Sequence, residues 1–148
     1  RGEEGKGFYY IMSTFQNERL VIGALASGTS SKAIELTVDY AKNRKAFGKS
    51  LWDQAVVRNK LAMVAAKAAA VRALTYQCAQ MIDEGQDTVR EVSMLKAFGA
   101  ETLQEVVHTC LQLHGGTVGA LSAGAGLGAT FTVTLPAAAA ALRAAGQA

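Results

Sequence analysis

One run of this sequence admits few shapes. Val57, Leu61, Val64, Ala68, Val71, Thr75, Cys78 and Ile82 recur in steps of four and three. Apolar and small residues at that spacing line one face of an α-helix. The stripe is nearly heptad, the pattern of antiparallel bundle packing near a +20° crossing. A helix with such a face needs partners. Asp53 is expected to cap its start, and Gly85 to stop it as a C′ glycine.

Two further helices supply those partners. The first is expected to begin at Asn17, a good N-cap, with Glu18 in the first turn where the helix dipole favours an acid. It runs to about Asn43, with Leu20, Ala24, Ser27 or Gly28, Ser31, Ile34, Val38 and Ala41 on one face. The small residues of Ala24–Ser31 predict a close helix–helix contact, and Gly48 marks the break that follows. The third helix opens with Thr88-Val89-Arg90-Glu91, which matches a capping box. Val92, Leu95, Gly99, Leu103, Val106, Cys110 and Leu113 form its apolar face, and Gly115-Gly116 ends it. Short links between three long helices imply an all-α, up-down-up antiparallel bundle. A single proline, Pro136, in 148 residues fits long uninterrupted helices.

The ends read differently. The lead-in, Gly2–Thr14, has two glycines before an aromatic and β-branched run, and predicts a turn and a short extended piece. From Thr117 the composition changes. Residues 119–128 are rich in Gly, Ala and Ser. Thr130–Leu135 alternates like a strand stopped by Pro136, and the Ala-rich last twelve residues predict a short helix. A lone strand leaves its edges unpaired, so this one needs a partner. The division is therefore 1–116, helical, and 117–148, a tail.

Composition narrows the class. At 148 residues one domain is expected, and 50% hydrophobic with 18% charged residues is a folding composition. Cys78 and Cys110 are distant in sequence, which excludes a disulfide scaffold and a CxxC metal site, and predicts a reducing, cytoplasmic compartment. No run of about 18 uncharged apolar residues exists, so no membrane span is expected. Arg1-Gly-Glu-Glu does not open a signal peptide. The chain starts without Met, which fits a piece of something longer. A net charge of +3 is too modest to argue for nucleic acid.

Five stretches occur together: Gly5-Lys6-Gly7-Phe8 followed by Met12; Asn17-Glu18-Arg19-Leu20; Tyr40 with Arg44-Lys45-Ala46-Phe47-Gly48-Lys49; Val56-Val57-Arg58-Asn59-Lys60-Leu61-Ala62; and Leu111-Gln112-Leu113-His114-Gly115-Gly116. In this order and spacing, the helical part resembles the C-terminal domain of the acyl-CoA dehydrogenases, over about Gly5–Gly116. The resemblance implies most of a four-helix bundle belonging to an FAD enzyme that oxidises acyl-CoA to 2,3-enoyl-CoA. A carboxylate removes the α-proton while the β-hydride passes to the flavin. The long-chain and isovaleryl-type branches carry that base in a Glu-Arg pair on the first helix, here Glu18. Arg19 would orient the substrate. Tyr9 and Asn17 align with positions lining the substrate site. Arg44 and Phe47 align with residues that meet the FAD of the neighbouring subunit, and Gln112, Gly115 and Gly116 come close to the same cofactor. A homo-oligomer and an electron-transfer acceptor protein are implied as partners.

The residue chemistry accommodates those roles. A general base must sit in a dry pocket that raises its pKa toward working pH. At a helix start the dipole pulls the other way, so burial would have to offset it. An arginine fork suits a pyrophosphate, and glycines let backbone approach closely. Plainer readings stand beside each: Glu18 as a first-turn acid, Arg19 as a surface charge, Arg44 as a C-terminal cation and Gly115-Gly116 as a C-cap. Ala55 stands where the family has a glutamine that contacts FAD, and Gln54 comes one step early. A contribution to catalysis by the chain alone is not expected. The alternative is a non-catalytic helical module for oligomerisation or partner binding.

Other motifs carry less. Glu105-Val-Val-His108 has the Glu-x-x-His spacing of di-iron bundles, but such a site needs a second pair. Gly124-x-Gly126-x-Gly128 lacks the dinucleotide-loop spacing. The basic Lys42, Arg44, Lys45 and Lys49 have no interleaved aromatics, so phosphates of FAD or CoA suit them better than nucleic acid. Residues 122–136 resemble the closing strand of a sensor histidine kinase ATP-binding domain, without its Asn-bearing helix, which implies an unrelated tail joined at Thr117.

Overall fold

The computed structural model describes residues 2–46, 48–121 and 130–134. Three helices dominate: α1 (Gly7–Asn43), α2 (Ala55–Asp83) and α3 (Val89–Leu113). Between α1 and α2 lie β1 (Lys45–Ala46), β2 (Lys49–Ser50) and a 3₁₀ turn, Leu51–Asp53. After α3, β3 (Thr117–Leu121) pairs antiparallel with β4 (Thr130–Thr134), Thr117 opposite Thr134. The expected strand thus finds a partner in the residues just after α3.

Cross-helix contacts give the topology. Arg19 meets Ser93, Gly23 meets Leu95 and Tyr40 meets His114, so α1 and α3 run parallel. Lys67 pairs with Glu105, and Val71 lies against Gly99, so α2 runs antiparallel to α3. The up-down-up bundle follows. Its core has two clusters. Ala41, Val57, Leu61, Val64, Val106 and Cys110 fill one end. Ala26, Val71, Cys78, Val92 and Leu95 fill the other.

The α2 stripe is buried as its spacing requires: Val57, Leu61, Val64, Ala68, Val71 and Cys78 all face inward. Both α2 and α3 end in the same way. Gly85 and Gly115 take φ of 72° and 77°. Their N–H groups donate to Ile82 and Gln112, and those of Gln86 and Gly116 donate to Met81 and Leu111. This paired closure is the Schellman motif, which requires a left-handed residue at C′.

Four local expectations are corrected. First, α1 begins at Gly7 rather than Asn17, so the lead-in from residue 7 is helical and Asn17 caps nothing. Second, Asp53 does not cap α2. Its carboxylate accepts from Ser50 N–H, and its own N–H donates to Ser50 Oγ, closing the 3₁₀ turn instead. Third, Thr88 makes no side-chain cap. Asp87 Oδ1 accepts from Val89 N–H in its place, and Glu91 pairs with Arg90. Fourth, the inward face of α1 is Gly23, Ala26, Ser27, Ser30, Thr37 and Ala41. Ser27 and Ala41 match the expected stripe, and Leu20, Ile34 and Val38 pack partly buried against the core, whereas Gly23 and Ser30 are buried one position before the expected Ala24 and Ser31. The close contact exists, but Ala24, Gly28 and Ser31 instead line an open groove with Arg72, Thr75 and Tyr76 of α2.

Because α1 starts early, it outreaches the bundle. Arg19 is level with Ser93, and α3 starts only at Val89. The first two turns of α1 therefore project about 12 Å beyond α3 at 1.5 Å per residue. Phe8, Tyr9, Tyr10 and Ile11 are exposed there.

Candidate active site

Glu18 lies in the interior of α1, eleven residues from its start, so the helix dipole does not reach it. Residues at −7, −3, +4 and +7 share a helical face with it. Here those are Ile11, Phe15, Ile22 and Leu25, which are 56%, 41%, 38% and 64% exposed. Glu18 is itself exposed, on the face turned away from Gly23, Ala26 and Ser27. One carboxylate thus stands amid an outward apolar surface. Nothing in the sequence reading singled out those four residues. Their spacing about Glu18 was the available signal.

The other substrate-side candidates do not converge on Glu18. Arg19 turns toward α3, and its Nη1 donates to Ser93 Oγ at 3.2 Å. Ser93 Oγ in turn donates to Val89 O. Neither Glu18 nor Arg19 joins an ion pair among the described residues. Asn17 is exposed in mid-helix. Tyr9 is nine residues back, about two and a half turns, and so on the opposite side of α1. It sits in the projecting end, edge-on to Phe8 at 6.0 Å.

The cofactor-side candidates gather at the far end. Arg44 follows α1, and its backbone is held on both sides. Its N–H donates to Tyr40 O at 2.8 Å, and its carbonyl accepts from Leu51 N–H at 2.9 Å. Its side chain is exposed and makes no hydrogen bond among the described residues. Phe47 lies outside the described residues. Gln112 Nε2 donates to Gly116 O at 3.3 Å. The N–H groups of Gly115 and Gly116 are already engaged in closing α3. This turn therefore offers close approach rather than amide donors. Tyr40 and His114 stack across α1 and α3 with centroids 4.1 Å apart and planes at 27°. Burial lowers the His114 pKa from its ordinary 6.5. Lys42 Nζ stands 5.7 Å from the Trp52 ring centroid, a cation–π contact. Gln54 joins the 3₁₀ turn to α2 without a side-chain cap, and Ala55 is exposed beside it.

Gln112 also lines a groove of about 510 Å³ between α2 and α3, with Lys60, Met63, Glu105, His108 and Thr109. Glu105 is paired to Lys67 across this groove. The described residues contain no group of three or more His, Cys, Asp or Glu able to hold a metal. No helix is long and apolar enough to cross a membrane, among the described residues. Both cysteines are free and buried.

The two candidate groups are far apart. From Glu18 to Asn43 along α1 is about 37 Å. One copy of this chain does not close them around a single small cofactor.

Comparison with known proteins places this geometry. The acyl-CoA dehydrogenase C-terminal domain family matches residues 5–131. (2S)-Methylsuccinyl-CoA dehydrogenase of Cereibacter sphaeroides is 40% identical over 115 residues, covering 78% of this chain and 21% of that protein. The mitochondrial long-chain specific acyl-CoA dehydrogenase of Sus scrofa is 39% identical, covering 78% of this chain and 27% of that protein. The crystal structure of an acyl-CoA dehydrogenase from Geobacillus kaustophilus superposes with a TM-score of 0.75 at 38% identity, covering 77% of this chain and 30% of that one. The chain thus spans about a fifth to a third of the length of the relatives it matches. Its three-helix bundle and its sequence make it a member of the acyl-CoA dehydrogenase family, FAD-binding oxidoreductases, corresponding to their C-terminal helical domain.

Proposed function

We propose that this chain is the C-terminal helical domain of an FAD-dependent acyl-CoA dehydrogenase, with Glu18 as the base that removes the substrate α-proton. One observation carries the reading: on an outward face, with Thr14 beside it, Glu18 is the one carboxylate among Ile11, Phe15, Ile22 and Leu25. When an acyl chain, the flavin and the upstream domains cover that face, the carboxylate loses water. A general base works from a site that excludes water. FAD, when bound, accepts the β-hydride. Arg19, Asn17 and Tyr9 act on the substrate side.

The 37 Å separation gives the second half of the reading. Glu18 serves the flavin of its own subunit, while Arg44, Phe47, Gln112, Gly115 and Gly116 meet that of the neighbouring subunit. The Arg44 guanidinium, exposed and without a side-chain partner among the described residues, suits a pyrophosphate, because its planar fork binds two oxygens. The working form is then a homo-oligomer in a cytoplasmic setting, reoxidised by an electron-transfer acceptor protein. The chain alone is inactive, since the domain that holds the flavin ring is supplied from elsewhere. The family match runs past Thr117 to residue 131, so an unrelated, histidine-kinase-like tail joined at Thr117 rests on the change of composition alone. Residues 122–129 and 135–148, the expected C-terminal helix among them, lie outside the described residues. Reading the genomic DNA across codons 112–122 tests the join; one clean frame with spanning transcripts contradicts it.

The functional test is FAD retention and acyl-CoA oxidation by the chain, alone and mixed with a protein supplying the upstream domains. Yellow protein that bleaches with acyl-CoA only in the mixture supports the reading. A mixture that holds no flavin defeats it.

The same exposed apolar face favours a second reading, a non-catalytic association module. It is distinguished by sedimentation across concentrations: association without any flavin in either preparation is its signature.

A further inference from the structure

The Tyr40–His114 stack joins two turns that otherwise share no element. Tyr40 lies in the last turn of α1, and its carbonyl fixes the N–H of Arg44. His114 is the C-cap of α3, immediately before Gly115. Parallel helices diverge freely past their last packed residues. Beneath this stack, Ala41 and Cys110 are the last fully buried positions of their helices, with Leu113 packed partly against them. The ring pair lies beyond those positions and links the two helix ends. Its face-to-face geometry resists both separation and rotation of those ends.

We propose that Tyr40 and His114 are positioning residues. Their stack sets the spacing between the turn bearing Arg44 and the turn bearing Gln112, Gly115 and Gly116. That spacing fixes affinity for the phosphate-bearing half of FAD. The proposal rests on the cofactor reading above for its second half, and on the ring geometry alone for its first.

The test has two arms. The first uses the 148-residue chain without cofactor and reads backbone amide shifts by NMR. Tyr40→Leu is expected to move the Gln112, Gly115 and Gly116 amides, and His114→Leu to move those of Arg44 and Lys45. Tyr40→Phe and His114→Phe, which keep a ring, leave the opposite turn in place. If Tyr40→Leu does not fold, Tyr40→Met takes its place. The second arm measures FAD affinity in the mixture with upstream domains. Tyr40→Leu and His114→Leu are expected to weaken it about three- to tenfold, which is what one aromatic contact is worth. The bleaching rate of FAD-saturated protein stays unchanged, and the ring-keeping variants stay within about twofold.

Absence of reciprocal amide shifts overturns the proposal. So do reciprocal shifts with wild-type FAD affinity in every variant. If the wild-type mixture holds no FAD, the functional reading and the cofactor role fail together. The amide shifts then still decide whether the stack couples the turns.

Discussion

Gly23 of α1 and Leu95 of α3 are in such close contact that a Cβ on Gly23 would lie 2.6–2.8 Å from Cγ and both Cδ atoms of Leu95. Leu95 is completely buried and has nowhere to move. The two parallel helices approach closely here. Gly23→Ala is expected to destabilise the fold by about 1–3 kcal/mol, the usual cost of overpacking. Gly99→Ala should do the reverse. A Cβ there meets Ala26 and Val71 at an ordinary 3.6 Å. The gain in helix propensity, about 1 kcal/mol, then dominates. Urea unfolding of both variants checks the pair; equal signs contradict this packing.

Acid should weaken the bundle in two steps. Burial holds the His114 pKa below its ordinary 6.5. The unfolded chain therefore takes up that proton first as pH falls. Stability from this group is complete above about 6.5 and declines below it. Hydrogen bonds from Ser50 hold the Asp53 carboxyl below its ordinary 3.8. Its contribution is present above that value and is lost as pH falls through the lowered one. Urea midpoints from pH 7.5 to 3 should show both windows. His114→Asn should remove the upper one and Asp53→Asn the lower one. A variant that keeps the window assigned to it contradicts the assignment.

The thiols should be inert. Burial pushes the pKa of both Cys78 and Cys110 upward, opposed at Cys110 by a hydrogen bond with Thr37. Thiolate is the reactive form. A disulfide reagent at neutral pH should label neither cysteine in the folded chain, and both in urea. Rapid native labelling of either would contradict the buried packing.

Different parts of this molecule were legible to different degrees. α2 was read correctly because Val57, Leu61, Val64 and Val71 differ sharply from their polar neighbours. In α1 the ends of the stripe and Ser27 were read correctly, but Ala24 and Ser31 were taken for Gly23 and Ser30, because those neighbours are nearly equivalent as apolar signals. That Gly23 faces inward is set by Leu95 on another helix, and a periodicity within α1 does not contain that. The start of α1 was misplaced for a related reason. Tyr9, Tyr10 and Ile11 favour strands, yet they continue a helix whose later turns are packed. The proposed role of Glu18 rests on its Glu-Arg context, whereas its apolar surround emerged only once the helix was known to extend back to Gly7.

The central claim is that Glu18 is the base, and substitution in the flavin-loaded mixture tests it most directly. Glu18→Gln keeps the size and polarity of the side chain but does not take a proton. The account predicts that this variant retains FAD and binds acyl-CoA, while flavin bleaching slows by at least about a hundredfold, as loss of a general base requires. Bleaching at the wild-type rate would contradict it and move the base to another residue.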